Sequence, residues 1–196
     1  MPRHAAFTED DFFAVAARLV AEEGPAAATV VAIARRAGAP TGSLYHRFAS
    51  RDEFLGTLWL RLVERFQAGF LDALARGDGL AAALYTPRFV REHPDEARAL
   101  LLYRREDFAD GRWPDEFQGR AVALARALDD GLAAFARRVY GEATPDALRR
   151  VTFALVDVPT AAVRRHLTRD RAVPPVVDEL VRAAVVAILP PASAEG

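Results

Sequence analysis

The sequence predicts an all-α fold, and three observations carry that prediction. Apolar side chains recur three and four positions apart along most of the chain, the period of a helix with one buried face. Helix punctuation separates the periodic stretches: Thr8 with Asp11, Gly24-Pro25, Gly38, Ser50 with Glu53, and Gly77-Asp78-Gly79. No stretch shows the two-residue alternation of a half-buried strand.

The first helix begins at Thr8, whose side chain can cap it while Asp11 answers from three residues on. Phe12, Phe13, Val15, Ala16, Leu19 and Val20 form its buried stripe, and Gly24-Pro25 ends it. A second helix runs from Thr29 to Arg36, with Val30, Ile33, Ala34 and Ala37 inward and Arg35 and Arg36 outward. Gly38 ends it where a left-handed backbone is cheap. A third runs from about Pro40 to Phe48. Leu44 and Phe48 point inward, which leaves Gly42, Ser43 and His46 on the opposite side, flanked by Tyr45 and Arg47.

Ser50-Arg51-Asp52-Glu53 is a second capping box, opening a long helix to about Arg76. This helix carries Phe54, Leu55, Leu58, Leu62, Phe66, Phe70 and Leu74 and is expected to join two lobes. Leu80 to Glu92 reads as helical, with a kink or restart expected at Thr86-Pro87. Pro94-Asp95-Glu96 opens a helix to about Glu106, and the loop from Asp110 to Pro114 leads into a long helix ending at Tyr140. Two stripes follow: Leu148, Val151, Leu155, Val158 and Ala162, then Val177, Val181, Ala184 and Ile188. Both have bundle spacing, suited either to a subunit interface or to closing the protomer's own core. Pro159 is expected to kink the first of this pair.

Two short helices joined at Gly38 and followed by a capped third have the layout of a helix-turn-helix, with a small, hydroxylic and basic outer face. Between Gly24 and Arg51 the chain has no carboxylate but four arginines, Arg35, Arg36, Arg47 and Arg51. The whole chain stands at −1, so attraction to a polyanion must come from this local patch, screened within about 8 Å at physiological salt. That chemistry suits duplex DNA: cations and hydroxyls for phosphates, short side chains where backbone approaches the groove.

The string from Thr29 to Leu55, with its Gly38 turn, Leu44-Tyr45-His46-Arg47-Phe48 and Ser50-Arg51-Asp52-Glu53-Phe54-Leu55, resembles the TetR family of one-component transcription regulators. The resemblance covers roughly the first 60 residues, and beyond them only the helix layout is similar. It implies that Thr29 touches a phosphate, that Thr41, Gly42, Ser43, Tyr45 and His46 line the major groove, and that Arg51 stands where the family places a phosphate-binding lysine. One departure is Val31, at a position that can carry a base-reading arginine. The implied organisation is a DNA-binding domain over residues 1–50 and a helical ligand-binding and dimerisation domain over 51–196. The implied partners are an operator duplex, a small effector, and a second copy docked through helices at about 146–168 and 174–189. The function so implied is a ligand-responsive repressor. The alternatives are an activator of the same fold, or a dimeric small-molecule-binding protein with an idle helix-turn-helix.

The 196 residues, 52% hydrophobic and 27% charged, have the composition of a globular chain able to bury a substantial core. All 26 basic residues are arginine, which fits a GC-rich coding sequence. The absence of cysteine excludes disulfides and thiol chemistry. Met1-Pro2-Arg3-His4 leads into an acidic stretch with no apolar signal region, and no uncharged run is longer than the twelve residues from Ala183 to Ala194. A cytoplasmic protein with no membrane segment is expected.

His4, His46, His93 and His166 are scattered, with no His-x-x-x-His pair, and no glycine-rich phosphate loop is present. No catalytic residue, metal or cofactor is therefore expected. Arg104-Arg105-Glu106-Asp107 reads as a solvated, salt-bridged turn. Aromatic residues are plentiful in the central helices, and Trp59, Phe66, Tyr103 and Trp113 are the candidates for lining an effector pocket.

Overall fold

The computed structural model describes residues 7–108 and 113–190. Among them are ten α-helices, 3-10 turns at Pro25–Ala27 and Arg105–Phe108, a π-helical segment at Phe153–Asp157, and no strand. Met1 to His4 and the loop residues Asp110 to Arg112 lie outside the described residues. The chain divides into two units, one of Met1–Leu62 and Asp95–Gly119, the other of Val63–Pro94 and Arg120–Gly196.

The first unit contains α1 (Glu9–Glu23), α2 (Val30–Ala37), α3 (Gly42–Tyr45), the N-terminal half of α4 (Arg51–Ala75) and most of α6 (Pro94–Leu102). The expected cap of α1 is formed reciprocally: Asp11 N–H donates to Thr8 Oγ1 at 3.2 Å, and Thr8 N–H donates to the Asp11 carboxylate at 2.8 Å. The Thr8 N–H and hydroxyl, both donating to the Asp11 carboxylate at 2.8 Å, hold that carboxyl below the ordinary carboxylate range. Phe13, Phe48 and Phe54 form the centre of the core, with Phe13 and Phe54 stacked at 4.9 Å and Phe48 edge-on to Phe54 at 4.9 Å. Phe12, Ile33 and Leu44, also buried, tie α1, α2 and α3 together.

Two boundaries and one cap differ from the sequence expectation for local reasons. Helix α3 covers only Gly42–Tyr45, because Thr41 makes no side-chain cap and the flanking amides of Ser43 and Arg47 bond three residues back, to Pro40 and Leu44. Helix α6 stops at Leu102, where the Asp107 carboxylate takes the Arg104 N–H at 2.6 Å and the chain tightens into the 3-10 turn. At α4, Ser50 Oγ receives the Glu53 N–H at 3.0 Å, but the Glu53 carboxylate accepts from Ala49 N–H at 2.7 Å, one residue before the position an ordinary capping box uses.

The second unit contains the rest of α4, α5 (Gly79–Glu92), most of α7 (Asp115–Tyr140), α8 (Pro145–Thr152), α9 (Val158–Leu167) and α10 (Val176–Ile188). Helix α5 continues through Pro87, so the chain does not restart there, and it packs against α9 and α10 with Thr86, Phe89 and Val90 buried. Arg91 on α5 reaches Asp178 on α10 at 2.7 Å. Phe66, Phe70, Tyr85 and Phe89 form an aromatic cluster, with Phe66 edge-on to Phe89 at 5.2 Å.

The C-terminal stripes require correction. Instead of a simple kink at Pro159, the chain widens into the π-helical segment just before it, which accommodates a residue that has no N–H and crowds the carbonyl four positions back. Downstream of it the extra residue shifts the inward set from Val158 and Ala162 to Pro159, Val163 and Leu167, while upstream Ala147, Val151 and Leu155 are buried and Leu148 only half-buried. On α10, Val177, Val181 and Val185 are buried, so that face closes the protomer's own core. The exposed apolar side chains here are Phe153, Val176, Leu180 and Val186. Nearby, a groove of about 690 Å³ is lined by Leu148, Arg149, Arg150, Thr152, Phe153, Asp157 and Ile188.

Candidate nucleic-acid interface

Thr29 caps α2, its Oγ1 accepting the Ala32 N–H at 3.1 Å, so the hydroxyl is held at the helix's positive end. Gly38 adopts φ 70° and ψ 22°, the left-handed conformation expected from the sequence, and its N–H returns to Ala34 and Arg35. The turn delivers Thr41, Gly42, Tyr45, His46 and Arg47 to the surface, all exposed, with Ser43 half-buried and Leu44 buried beneath them. Short side chains thus surround Tyr45 and His46, leaving room for an approaching backbone.

The four arginines of the acid-free window are not equivalent. Arg36 crosses to α1, 2.5 Å from Glu22 and 3.8 Å from Glu23, so its charge is largely matched within the protein. Arg47 donates to the Phe7 carbonyl at 2.8 Å and lies over the Phe12 ring. Arg51 donates to the Pro25 carbonyl at 2.7 Å and to the Ala28 carbonyl at 3.2 Å, with 23% of its side chain exposed. It therefore fastens the chain between α1 and α2 at the base of the surface, and it also lies 3.4 Å from the Asp52 carboxylate. The carbonyl leaves the charge of Arg47 uncancelled. Arg35 is exposed and makes no ion pair among the described residues.

Glu22 accepts from Arg18 at 2.9 Å as well as from Arg36, and these two partners hold its carboxyl below the ordinary value. A depressed folded value means the contribution to stability is fully present above the unfolded value and fades as pH falls through the folded one. A carbon-detected NMR titration of Glu22 should therefore show a midpoint below that of a free glutamate. Arg36→Ala should move that midpoint upward, whereas an unchanged midpoint would mean that the α1–α2 ion pair does not persist in solution.

The four pocket candidates fall in both units. Trp59 and Trp113 meet edge-to-face at 5.6 Å in the first unit, with Phe117 at 6.1 Å from Trp113. Tyr103, in the same unit, stands against Gly24. Phe66 belongs to the aromatic cluster of the second unit. The sequence reading missed Gln67, which is 8% exposed with its Oε1 lacking a hydrogen-bond partner. Its signal was a lone amide on an otherwise apolar α4 stripe of Val63, Gln67, Phe70 and Leu74.

An exposed, acid-free surface built from a capped helix, a left-handed glycine turn and a second short helix braced on α1 defines a helix-turn-helix DNA-binding protein. Residues 12–58 match the family model of bacterial regulatory proteins, tetR family, the family that the N-terminal sequence resembles. Solved structures share the fold along nearly the whole chain. A transcriptional regulator from Rhodococcus sp. Rha1 is 20% identical, with 93% of this chain and 96% of that one covered at a TM-score of 0.70. SmeT, repressor of the Stenotrophomonas maltophilia multidrug efflux pump SmeDEF, is 18% identical, with 92% and 87% covered at a TM-score of 0.63. FadR from Bacillus subtilis, solved in complex with stearoyl-CoA, is 14% identical, with 93% and 98% covered at a TM-score of 0.62. Among the described residues no helix is long and apolar enough to cross a membrane, and no group of three acidic, histidine or cysteine side chains could hold a metal ion.

Proposed function

We propose that this regulator is a cytoplasmic, non-enzymatic repressor that binds a near-palindromic operator as a homodimer and is released by a small apolar or aromatic effector. The observation that carries the reading is the exposed surface of Thr41, Gly42, Tyr45 and His46, together with the exposed Thr29 at the α2 N-terminus. In this reading residues 1–50 are the DNA-binding domain and residues 51–196 hold the effector and the dimer contact. Thr29, Arg47 and Arg51 serve phosphates, while Thr41, Gly42, Ser43, Tyr45 and His46 face base edges. The exposed Phe153, Val176, Leu180 and Val186, unusual on a chain that stands alone in water, support a dimer contact through the last two helical segments. A dimer of this kind reads two half-sites about 34–36 Å apart.

An apolar effector suits the aromatic residues Trp59, Phe66, Tyr103 and Trp113, and the similar FadR from Bacillus subtilis is seen in complex with stearoyl-CoA. The effector can release DNA only by as much as its affinity differs between the DNA-binding and DNA-free states. Gel-shift titration against the chain's own upstream region should give a dimeric complex whose log affinity falls by several units per tenfold rise in salt. A salt-independent complex, or none, would count against the proposal. Tyr45→Ala and His46→Ala should each weaken operator binding by about 1–3 kcal/mol where the residue reads a base, with nonspecific binding nearly unchanged. Equal losses on operator and random duplex would move these residues from base reading to phosphate contact.

A further inference from the structure

Seven large apolar or aromatic side chains are exposed among the described residues, and five of them lie in the second unit. The other two, Val31 at 63% exposure and Tyr45 at 58%, belong to the helix-turn-helix. Val31 is in the first turn of α2, two residues past the Thr29 cap, and shares its helix face with Arg35 four residues on. The inward face of the same helix is fully supplied by Val30, Ile33 and Ala34, so the protein's own core makes no use of the Val31 isopropyl group. We infer that Val31 is a specificity determinant of the DNA-binding surface, reading the 5-methyl group of a thymine in the major groove.

The chemistry narrows the choice. An isopropyl group neither donates nor accepts, so a phosphate oxygen or a base-edge acceptor would lose water against it without compensation. The thymine methyl is the apolar feature of the major groove, and burying it against an aliphatic side chain removes both from water. Arg35, exposed on the same face, supplies a cation for the neighbouring phosphate and so holds the helix against the duplex. At this position base preference therefore comes from apolar contact.

The inference rests on the DNA-binding reading, and one experiment separates the two. The full-length protein is used to select duplexes from a random pool, and each thymine of the selected site is then replaced by uracil, which removes only the methyl group. One thymine per half-site should lose about fourfold in affinity on replacement, the free energy of one buried methyl. The Val31→Ala protein should bind the thymine duplex more weakly and show no loss at that same uracil. Val31 is exposed, so the substitution leaves the core untouched. Specific selection with no uracil-sensitive thymine, or with the same sensitivity in Val31→Ala, overturns the role of Val31 and leaves the DNA-binding reading standing. Selection of no duplex at all overturns both.

Discussion

Phe54→Ala should lower the free energy of unfolding by about 3–5 kcal/mol, the largest effect expected of any single change in the N-terminal unit. Phe54 is fully buried, stacked on Phe13 at 4.9 Å and met edge-on by Phe48 at 4.9 Å. Three elements therefore lose contact together: α1 through Phe13, the segment after α3 through Phe48, and the start of α4. Alanine is the strongest helix former, so α4 itself is not weakened and the loss is one of packing. Urea unfolding followed by circular dichroism should show the midpoint fall with little change in slope. A loss below 1 kcal/mol would mean that the site collapses around the cavity and that the aromatic trio is not the centre of this core.

Arg51→Ala is expected to cost about 2 kcal/mol, because one guanidinium donates to two carbonyls, of Pro25 and Ala28, that are left short of a partner when it is removed. The same substitution removes a positive charge from the DNA side, so binding to all duplexes should weaken about equally and the salt slope should fall by roughly one unit per protomer. Two instruments then report two roles. Chemical denaturation measures the tie between α1 and α2, and gel shift under conditions where the variant is fully folded measures the charge. Arg51→Lys separates them further: the ammonium keeps the charge but lacks the planar fork that reaches both carbonyls. Lysine should recover most of the nonspecific DNA affinity and little of the stability. Full recovery of stability by lysine would show that the two carbonyl bonds contribute little.

Elements with strong local signals were readable from the chain alone. Thr8 with Asp11, Gly38, and the long periodic run of α4 are decided by backbone caps and by one stripe of side chains, interactions that span four residues or fewer. What escaped was decided at a distance. Nothing near Arg36 says that it crosses to Glu22 and Glu23 on α1, so in a window that looks uniformly basic in sequence Arg36 is matched in space and Arg51 meets the neighbouring Asp52. Arg51 looks like a free cation until the carbonyls of Pro25 and Ala28 are brought to it by the 3-10 turn. The four aromatic candidates illustrate the same limit, since helix period says that Trp59 and Phe66 are inward-leaning but not which partners they meet.

The C-terminal helices went astray through phase. A count of 3, 4, 3, 4 assumes an unvarying helix, whereas the wide turn at Phe153–Asp157 resets the count, so that Pro159 and Val163 are buried in place of Val158 and Ala162. This gives the stretch an unusual sensitivity to length. Removing one residue between Thr152 and Val158 would let an ordinary helix form, but everything downstream would swing about 100° around the axis. Pro159, Val163 and Leu167 would leave the interior as a group. Exchanges of single side chains on the outer wall should pass with little effect, while loss of one peptide unit, whatever its identity, should unseat the whole distal arm.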